Sequence, residues 1–421
     1  MADSVAIIAG TLWGNRGAQA MLESVVGQLR EHEPDLRFVI FSYYPTIDAG
    51  LVKDSNIEVL SATPATLVLS LFPGAVLSYL CCLIGMRLPD RWLPRGVARL
   101  RQCRILLDIP GISFSDGREK FLPFNILTLY PAMLMDVPVG KFSQAMGPFA
   151  NPLNRLCAKF ILKRCAFVAG RGAQTFSFLR ELNSATPELF EAPDVAFNHE
   201  PHFSLTSENE DRTAAIREML QTSAAGGRRL ICINPSSLVA RESEKRNFDL
   251  VDVLATLASD LIAAGYRVVC VPTATRDRAP DSSHNNDIPI IRRIAQRIDP
   301  NLYNESFFWI DWDINFTSLK CVMGEADAVV TLRFHGLVAA LSLGRAVIAV
   351  GWGHKYDELM AMLGLEDWAL DCADLASISL FERVLALISD KSRFEQVVAD
   401  ALPDVKRRSA DQFNRAFPYL M

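Results

Sequence analysis

Residues 328–360, AVVTLRFHGLVAALSLGRAVIAVGWGHKYDELM, decide the fold class. A buried strand is predicted at 328–333, a helix rich in small residues follows it, and a second strand is predicted at 346–352. A strand, a helix and a strand in so short a stretch indicate a βαβ unit, because parallel strands need a crossover connection. Apolar strands without alternation are typical of a parallel sheet that helices cover on both faces.

The same alternation of apolar strands and helical patterns runs through the rest of the chain. Further strands are predicted at 5–10, 37–44, 104–111, 137–147, 166–172, 230–234, 266–272 and 307–310. A polar, acidic stretch at 196–228 interrupts the pattern, and we expect the domain junction there.

The sequence therefore predicts an α/β protein of two Rossmann-like, doubly wound lobes that face a central cleft. The N-terminal lobe takes residues 1–200 and the C-terminal lobe takes residues 228–400. A last helix at 401–421 is expected to cross back to the N-terminal lobe. Ligands of such sheets bind beyond the carboxyl ends of the strands, so the polar residues that follow strands are the candidates for a site.

Composition limits the classes of function and the compartment. The chain has 421 residues, of which 22% are charged, and a formal net charge of −5. A nucleic-acid partner is not expected, because phosphate-backbone binding usually needs a strongly basic domain. The nine cysteines are odd in number and form no CxxC pair, which favours buried reduced thiols in the cytosol and no zinc site. The N-terminus is expected to be a first strand and not a signal peptide.

Residues 62–86 carry no charge, and arginines follow at positions 87, 91, 95 and 99. On one helix, a spacing of four places these arginines on one face. One interpretation is a peripheral membrane patch, in which apolar side chains enter the bilayer interface and arginines meet anionic headgroups. The alternative is a buried helix pair with a solvated basic face, since apolar runs in α/β domains usually fill cores. The basic row is also suited to an anionic substrate diphosphate.

The strongest chemical signal follows the strands of the βαβ unit. Arg333 and His335 are two residues apart on chain predicted to be extended, so their side chains are expected on one side. Both precede a predicted helix N-terminus, where free N–H groups favour anions. Lys355 follows the next strand. A guanidinium, an imidazole and an ammonium at one rim are suited to a phosphate and a carboxylate, although each residue alone is as well explained by an ion pair, a cap or a solvated lysine.

A second group of polar residues ends the strands of the first lobe. It comprises Asn15 and Arg16 in a glycine-rich turn, Asp116 in DIPGISFSD, Gln144 in QAMGP and Arg171 in AGRGAQ. We expect these residues to hold a sugar or to close over the anion. Turn chemistry alone explains the glycines well, but it explains Gln144 and Arg171 less well.

Seven segments give a resemblance to a known family. They are GNRGAQAML, DIPGISFSDG, SQAMGPF, AGRGAQTFSFLRELN, APDVAF, TLRFHGLVAALSLG and GHKYDELMAMLGL. In this order they resemble the polysaccharide pyruvyltransferase family over about residues 5–370, and the RFHG block with its lysine is the most specific part. The chain departs from the family at Ala18, where relatives often have Asp in the pattern Asn-x-Gly-Asp.

The resemblance implies a GT-B-like fold and pyruvate transfer from phosphoenolpyruvate (PEP) to two hydroxyls of a sugar in a glycan or lipid-linked glycan, with release of phosphate. By resemblance, Arg333, Lys355 and His335 match the PEP-binding residues, and Arg171 matches the basic residue of the first lobe. His335 is the expected general acid.

The remaining site residues complete this hypothesis. Asp116 is the candidate base, and Asn15, Arg16 and Gln144 are the candidate acceptor ligands. PEP is expected as a donor substrate without a cofactor or a metal, and the enzyme is expected in the cytoplasm with peripheral contact at the inner face of the membrane. Two alternatives remain open: a GT-B glycosyltransferase that uses a nucleotide sugar, and a non-catalytic glycan-binding assembly protein.

Overall fold

The computed structural model of the protein describes residues 4–183, 188–200, 203–206, 210–224, 227–276, 285–351 and 355–420. The chain divides into two compact units. The first unit comprises Met1–Leu12, Ala18–Glu200 and Lys406–Met421, and the second comprises Trp13–Gly17 and Pro201–Val405. The short segment Trp13–Gly17, although it lies near the start of the chain, therefore belongs to the second unit.

The first unit is built on an eight-stranded parallel sheet with the order β3-β2-β1-β4-β6-β7-β8, in which β5 pairs with β6. Its strands are β1 (Ser4–Ile8), β2 (Arg37–Ser42), β3 (Ile57–Ser61), β4 (Cys103–Asp108), β5 (Ile112–Ser115), β6 (Val139–Gly147), β7 (Phe167–Arg171) and β8 (Leu189–Ala192). Its helices are α1 (Arg16–His32), α2 (Pro45–Leu51), α3 (Pro64–Thr66), α4 (Phe72–Leu83), α5 (Arg95–Arg101), α6 (Leu122–Leu127), α7 (Tyr130–Leu134), α8 (Pro152–Leu162) and α9 (Gly172–Leu182).

The second unit is built on a six-stranded parallel sheet with the order β11-β10-β9-β12-β13-β14. Its strands are β9 (Leu230–Asn234), β10 (Arg267–Cys270), β11 (Phe307–Trp309), β12 (Ala328–Thr331), β13 (Val347–Gly351) and β14 (Ala369–Asp371). Its helices are α10 (Glu210–Ala224), α11 (Ser237–Lys245), α12 (Leu250–Ala263), α13 (Ile288–Ala295), α14 (Phe316–Glu325), α15 (Phe334–Ser342), α16 (Lys355–Met362), α17 (Leu380–Ser389) and α18 (Lys391–Ala416), the last of which runs into the first unit.

Counted within its unit, the second sheet follows the Rossmann order 3-2-1-4-5-6. The first sheet shares the 3-2-1-4 half of that order and continues through β6, β7 and β8, with β5 beside β6, so the predicted α/β class with two doubly wound sheets is confirmed. The strand order reverses between β1 and β4 in the first unit and between β9 and β12 in the second. The strands of the second sheet's centre, β9, β12 and β13, are buried at every position, as expected for a sheet with helices on both faces. Trp352, predicted as the end of the last strand of the βαβ unit, lies outside the described residues.

The C-terminal segment completes the core of the first unit. Phe413 packs against Phe142 of β6 with ring centroids 5.2 Å apart. The Gln412 side chain accepts a hydrogen bond from the Ser143 backbone N–H at 2.7 Å and donates one to the Pro193 carbonyl at 3.1 Å. Because these groups are buried, the segment is an integral layer of the first unit.

The uncharged segment forms one continuous helix, Pro64–Leu83, that we call the apolar helix; its second turn, Leu67–Leu71, is a π-helical turn. The expectation of a buried helix pair is wrong, because only 28% of its most apolar stretch is buried. One face packs inward, with Leu67 and Leu71 almost fully buried. By length and composition it could cross a bilayer.

The arginines at 87, 91, 95 and 99 do not share one helix face. Pro89 and Pro94 interrupt the helical path, and α5 starts only at Arg95. The guanidinium groups of Arg95 and Arg99 both bind the Glu58 carboxylate, at 2.7 and 2.5 Å. Half of the expected basic row is therefore bound to a single carboxylate of β3, which compensates one of the two positive charges.

All nine cysteines are unpaired thiols, but they are not all buried. Cys82 and Cys321 are exposed, and the side chains of Cys81 and Cys157 are partly exposed. Cys82 lies on the outer side of the apolar helix, which explains why an apolar sequence context did not ensure burial.

Candidate functional site

The centre of the second unit's site is a buried ion pair at the switch in strand order. Arg333 follows β12, and its Nε donates to Oδ2 of Asp287 at 3.0 Å while its Nη2 donates to Oδ1. Asp287 is fully buried, and it also accepts hydrogen bonds from the backbone N–H groups of Ser237 at 2.9 Å and Ala274 at 2.8 Å. One carboxylate therefore fixes the loops after β9 and β10 and the guanidinium after β12.

The remaining hydrogen bonds of Arg333 fix the orientation of its guanidinium group. Its Nη1 donates to Asn285 at 2.7 Å and its Nη2 donates to the Ser237 hydroxyl at 3.0 Å. Four of the five N–H groups of the guanidinium thus have protein partners. Asp287 compensates its charge, so any direct contact between Arg333 and an anion would use the N–H group that is left.

A tight junction between β9 and α15 sets the start of the helix that carries His335. Asn234 accepts hydrogen bonds from the hydroxyls of Thr331 at 2.9 Å and Thr273 at 3.0 Å, and it donates to the Val271 carbonyl at 2.7 Å. A Cβ on Gly336 would overlap the Asn234 side-chain oxygen. Only glycine lets the first turn of α15 approach the strand end so closely.

His335 lies in the first turn of α15 and is partly buried. The chain becomes helical at Phe334, so the expectation that extended chain places Arg333 and His335 on one side is wrong. The His335 imidazole lies directly on Gly17, where a Cβ would overlap Nδ1, and its ring meets Phe334 edge-on at 5.4 Å. The helix N-terminus beside it favours negative charge.

Lys355 is the first residue of α16, and its ammonium lies over two aromatic rings. The Nζ atom is 5.4 Å from the ring centre of Phe334 and 5.2 Å from that of Tyr356, whose hydroxyl donates to the Leu332 carbonyl at 3.2 Å. Because the Phe334 ring also contacts His335, the imidazole and the ammonium lie around the same ring. The structure thus brings His335 and Lys355 close, as the order of strands β12 and β13 requires.

The segment Trp13–Gly17 adds two predicted site residues to the second unit. The Asn15 side chain accepts a hydrogen bond from the Gly17 N–H at 3.0 Å. Arg16 is buried, its backbone N–H donates to the Thr273 carbonyl at 2.9 Å, and its Nη2 is 3.5 Å from Asp313. Asn15 and Arg16, expected on the N-terminal lobe, therefore lie on the unit that holds His335.

The first unit has its own polar cluster at the switch in strand order. Lys141 of β6 forms a buried ion pair with Asp108 at the end of β4. Gln144 is fully buried; its amide donates to the Asp108 carboxylate at 3.0 Å and its oxygen accepts from Ser113 at 2.6 Å. Gln144 therefore orients Asp108 and Ser113, and both of those residues line a cavity.

That cavity has a volume of about 540 Å³, within the range of small-molecule sites. Its wall combines apolar and aromatic side chains with Asp108, Lys141, Arg118 and Lys120. Both Arg118 and Lys120 lie over the Phe121 ring, at 5.0 and 5.2 Å from its centre. Desolvation by the surrounding protein lowers the pKa of the Arg118 guanidinium below its usual value, but an arginine stays charged at neutral pH.

Asp116 and Arg171 of the first unit are engaged by neighbouring protein groups. Asp116 accepts hydrogen bonds from the Ala150 N–H at 2.6 Å, the Asn151 N–H at 3.2 Å and the Asn154 amide at 2.7 Å, at the start of α8. The Arg171 guanidinium forms an ion pair with the buried Asp194 at 2.8 Å. Both side chains therefore contribute to local structure.

Sequence reasoning missed Asp287 and Lys141, which hold the two clusters together. Asp287 precedes Ile288 and Pro289, a pattern that predicts a helix cap. Its carboxylate instead binds the N–H of Ser237 at the start of α11 and the distant Arg333. Lys141 lies inside an apolar strand, and a buried lysine in such a strand is itself a signal for a charged partner.

Comparisons with known proteins come from both sequence and structure. A family model described as polysaccharide pyruvyl transferase matches residues 15–354. The amylovoran biosynthesis protein AmsJ of Erwinia amylovora is 22% identical over 407 residues, which cover 92% of this chain and 93% of that protein.

Two solved structures are similar in fold. HepE of Anabaena, in complex with UDP and glucose, has a TM-score of 0.55 and 11% identity, with 98% of this chain and 99% of that chain covered. UDP-GlcNAc 2-epimerase of Neisseria meningitidis, bound to UDP-GlcNAc, has a TM-score of 0.54 and 12% identity, with 99% and 100% covered. At this identity the likeness supports the GT-B type of fold alone.

Proposed function

Given that this chain belongs to the polysaccharide pyruvyl transferase family, we propose that it transfers pyruvate from PEP to two hydroxyls of one sugar in a polysaccharide precursor. The similarity to AmsJ supports a role in the biosynthesis of an exopolysaccharide. The observation that carries the proposal is that the His335 imidazole and the Lys355 ammonium lie around one aromatic ring at the carboxyl ends of β12 and β13. The Arg333–Asp287 pair also follows β12.

The chemistry balances without a cofactor or a metal. Protonation of the CH₂ carbon of PEP produces an oxocarbenium-like centre at C2. One sugar hydroxyl adds to C2, phosphate leaves with the C2–O bond pair, and the second hydroxyl adds in its place. The two hydroxyl protons replace the proton given to CH₂ and the one taken by phosphate, so the products are a pyruvyl ketal and inorganic phosphate.

In this proposal His335 is the general acid that protonates PEP, or assists the leaving phosphate, because an imidazole titrates near neutral pH. Lys355 and the α15 N-terminus bind the anionic groups of PEP, and Arg333, oriented by Asp287, contributes its remaining N–H group. By the family resemblance, Arg171 is proposed as a further PEP-binding cation, in exchange for its bond to Asp194.

The acceptor residues are proposed from the same geometry. Asn15 and Arg16 lie on the unit of His335, whereas Gln144 acts through Asp108 and Ser113. Asp116 remains the predicted base for an acceptor hydroxyl, although both of its carboxylate oxygens already accept hydrogen bonds from N–H groups at the start of α8. A cytoplasmic location fits the nine unpaired cysteines.

The test is release of inorganic phosphate from PEP with a panel of galactosides, mannosides and glucosides. His335→Gln should lower the rate by on the order of 10²-fold, with the melting temperature unchanged. His32→Gln, at an exposed histidine of the first unit, is the matched control. A near-normal rate in His335→Gln would remove His335 from the mechanism, and incorporation from a labelled UDP-sugar instead of PEP would replace pyruvyl transfer by glycosyl transfer.

A further inference from the structure

The apolar helix is attached to the first unit along one face and exposed along the other. Leu67 and Leu71 are 1% exposed and Ala75 is fully buried, which is one side chain per turn in the core. On the opposite face Leu69 is 77% exposed and Leu83 is 64% exposed. A helix packed at successive turns lies on its domain, and this arrangement is typical of an interfacial helix that does not cross the bilayer.

The exposed apolar surface continues from the apolar helix to α8. A row of partly buried rings joins them: Phe72 is 6.4 Å from Tyr130, and Tyr130 is 5.2 Å from Phe160, between ring centres. Beyond Phe160, the side chains of Leu153 and Leu156 are exposed on α8. Apolar surface of this extent on a soluble protein usually marks a binding face.

The charges around this face fit an anionic bilayer. No charged residue occurs in 62–86, and the exposed cations Arg91, Arg155 and Lys163 form no ion pair with any other described residue. A second copy of the same face would bring like charges together, whereas anionic headgroups would neutralise them. We therefore consider a lipid surface, and not self-association, as the occupant.

The cavity of the first unit connects the apolar helix with the polar cluster. Pro64, Leu67 and Val68 of the apolar helix form part of its wall, and Lys141 and Asp108 lie at the sheet end. A ligand in the cavity would thus contact the sheet's polar residues at one end and the start of the lipid-facing helix at the other.

Two further cations lie in the cavity wall. Arg118 and Lys120 both lie over the Phe121 ring and form no ion pair with any residue of the described chain. Two unneutralised cations beside an apolar wall are suited to a diphosphate that is attached to a hydrocarbon chain.

We propose that the cavity is the acceptor site and that it receives a glycan linked through a diphosphate to a membrane lipid. The sugar lies against Ser113, Asp108 and Lys141, the diphosphate binds Arg118 and Lys120, and the hydrocarbon chain remains in the bilayer against the apolar helix. This inference rests on the proposed function for the reaction, but the binding it requires needs neither PEP nor turnover.

The first experiment is flotation of the full-length protein with vesicles. The protein should float with vesicles of phosphatidylcholine and phosphatidylglycerol at low salt and much less with phosphatidylcholine alone. Leu69→Glu/Leu80→Glu should lower binding by about 10²-fold, because two exposed leucines that would enter the bilayer are replaced by charges. Leu238→Glu, at an exposed leucine of the second unit, should bind as the wild type does.

The second experiment adds a polyprenyl diphosphate to the anionic vesicles. Binding should increase by on the order of tenfold, and Arg118→Glu/Lys120→Glu should lose this increment while it retains most of the binding to undoped vesicles. Arg217→Glu/Arg393→Glu, at two exposed arginines of the second unit, should keep the increment. Free inorganic pyrophosphate should compete weakly, since it lacks the lipid chain.

Several results would overturn the inference. One is wild-type protein that does not float with anionic vesicles; another is an increment that Arg118→Glu/Lys120→Glu leaves intact. A dimer by light scattering that Leu69→Glu/Leu80→Glu dissociates, without vesicle binding, would assign the face to a second copy. Vesicle binding without phosphate release from PEP would refute the proposed reaction and leave this site standing.

Discussion

Replacing Asp287 by Asn tests whether the buried ion pair holds the second unit's site together. The substitution keeps the shape of the side chain but removes the negative charge beside Arg333. The two carboxylate oxygens together accept hydrogen bonds from five donors, and in the variant one of these oxygens is replaced by an NH₂ group, which cannot accept. Breaking a buried pair by removing one partner costs about 3–5 kcal/mol, because the other charge stays buried. The second unit has a size at which 1 kcal/mol shifts the melting temperature by about 2–4 °C, so we expect a decrease of roughly 6–20 °C.

The assay is urea unfolding followed by tryptophan fluorescence, with a thermal melt as the second measure. Asp252→Asn is the control, because its pair with Arg297 is exposed and worth less than about 1 kcal/mol. Arg333→Met in the Asp287→Asn background should recover part of the loss, since it removes the uncompensated charge. A loss below about 1 kcal/mol in Asp287→Asn would refute the reasoning that this pair organises the three loops.

Three further substitutions and conditions test other contacts. Gly17→Ala should lower phosphate release by on the order of 10²-fold by displacing the His335 imidazole, whereas Gly50→Ala, with open space around it, should not; equal rates would show that the contact is unimportant. Asp116→Ala should destabilise the first unit by about 1–3 kcal/mol and change the rate less than tenfold; a larger loss of rate at full folding would restore Asp116 as the base. Burial raises the pKa of Cys270 to about 12, so iodoacetamide at pH 8 should leave this thiol unmodified in the folded protein, as mass spectrometry of the digest can check. Because the unfolded thiol ionises near pH 9.0 and the folded thiol does not, the free energy of unfolding should decrease above pH 9.0 by about 1.4 kcal/mol per pH unit for that thiol; a flat profile from pH 9 to 10.5 would contradict this.

The sequence predicted the sheets because their strands are continuous apolar runs, and burial on both faces produces that pattern independently of distant partners. It predicted His335 and Lys355 at one rim because adjacent parallel strands end at the same edge. It could not predict the partner of Arg333, because Asp287 is 46 residues earlier in the chain and has the sequence context of a helix cap.

The apolar helix shows a second limit of prediction from sequence. Its composition does not tell which face is buried, and the choice between core and membrane surface depends on what packs against it. The small residues Gly74 and Ala75 were the available signal, because a Cβ on Gly74 would come within 2.8 Å of Val97 on α5. This close approach packs one side of the apolar helix against α5, and the opposite side stays exposed.

The last turns of α18 have a consequence for synthesis. Until Gln412 and Phe413 leave the ribosome, Phe142 lacks the ring that packs against it from α18 and the Ser143 amide lacks its acceptor. At about 5–20 residues per second, the half of the chain after Glu200 takes roughly 10–40 s to translate. During that interval part of the apolar face of the first sheet is exposed to solvent. A fragment that stops at Glu200 should therefore aggregate or bind chaperones, whereas the same fragment supplied with a peptide of residues 406–421 should become soluble.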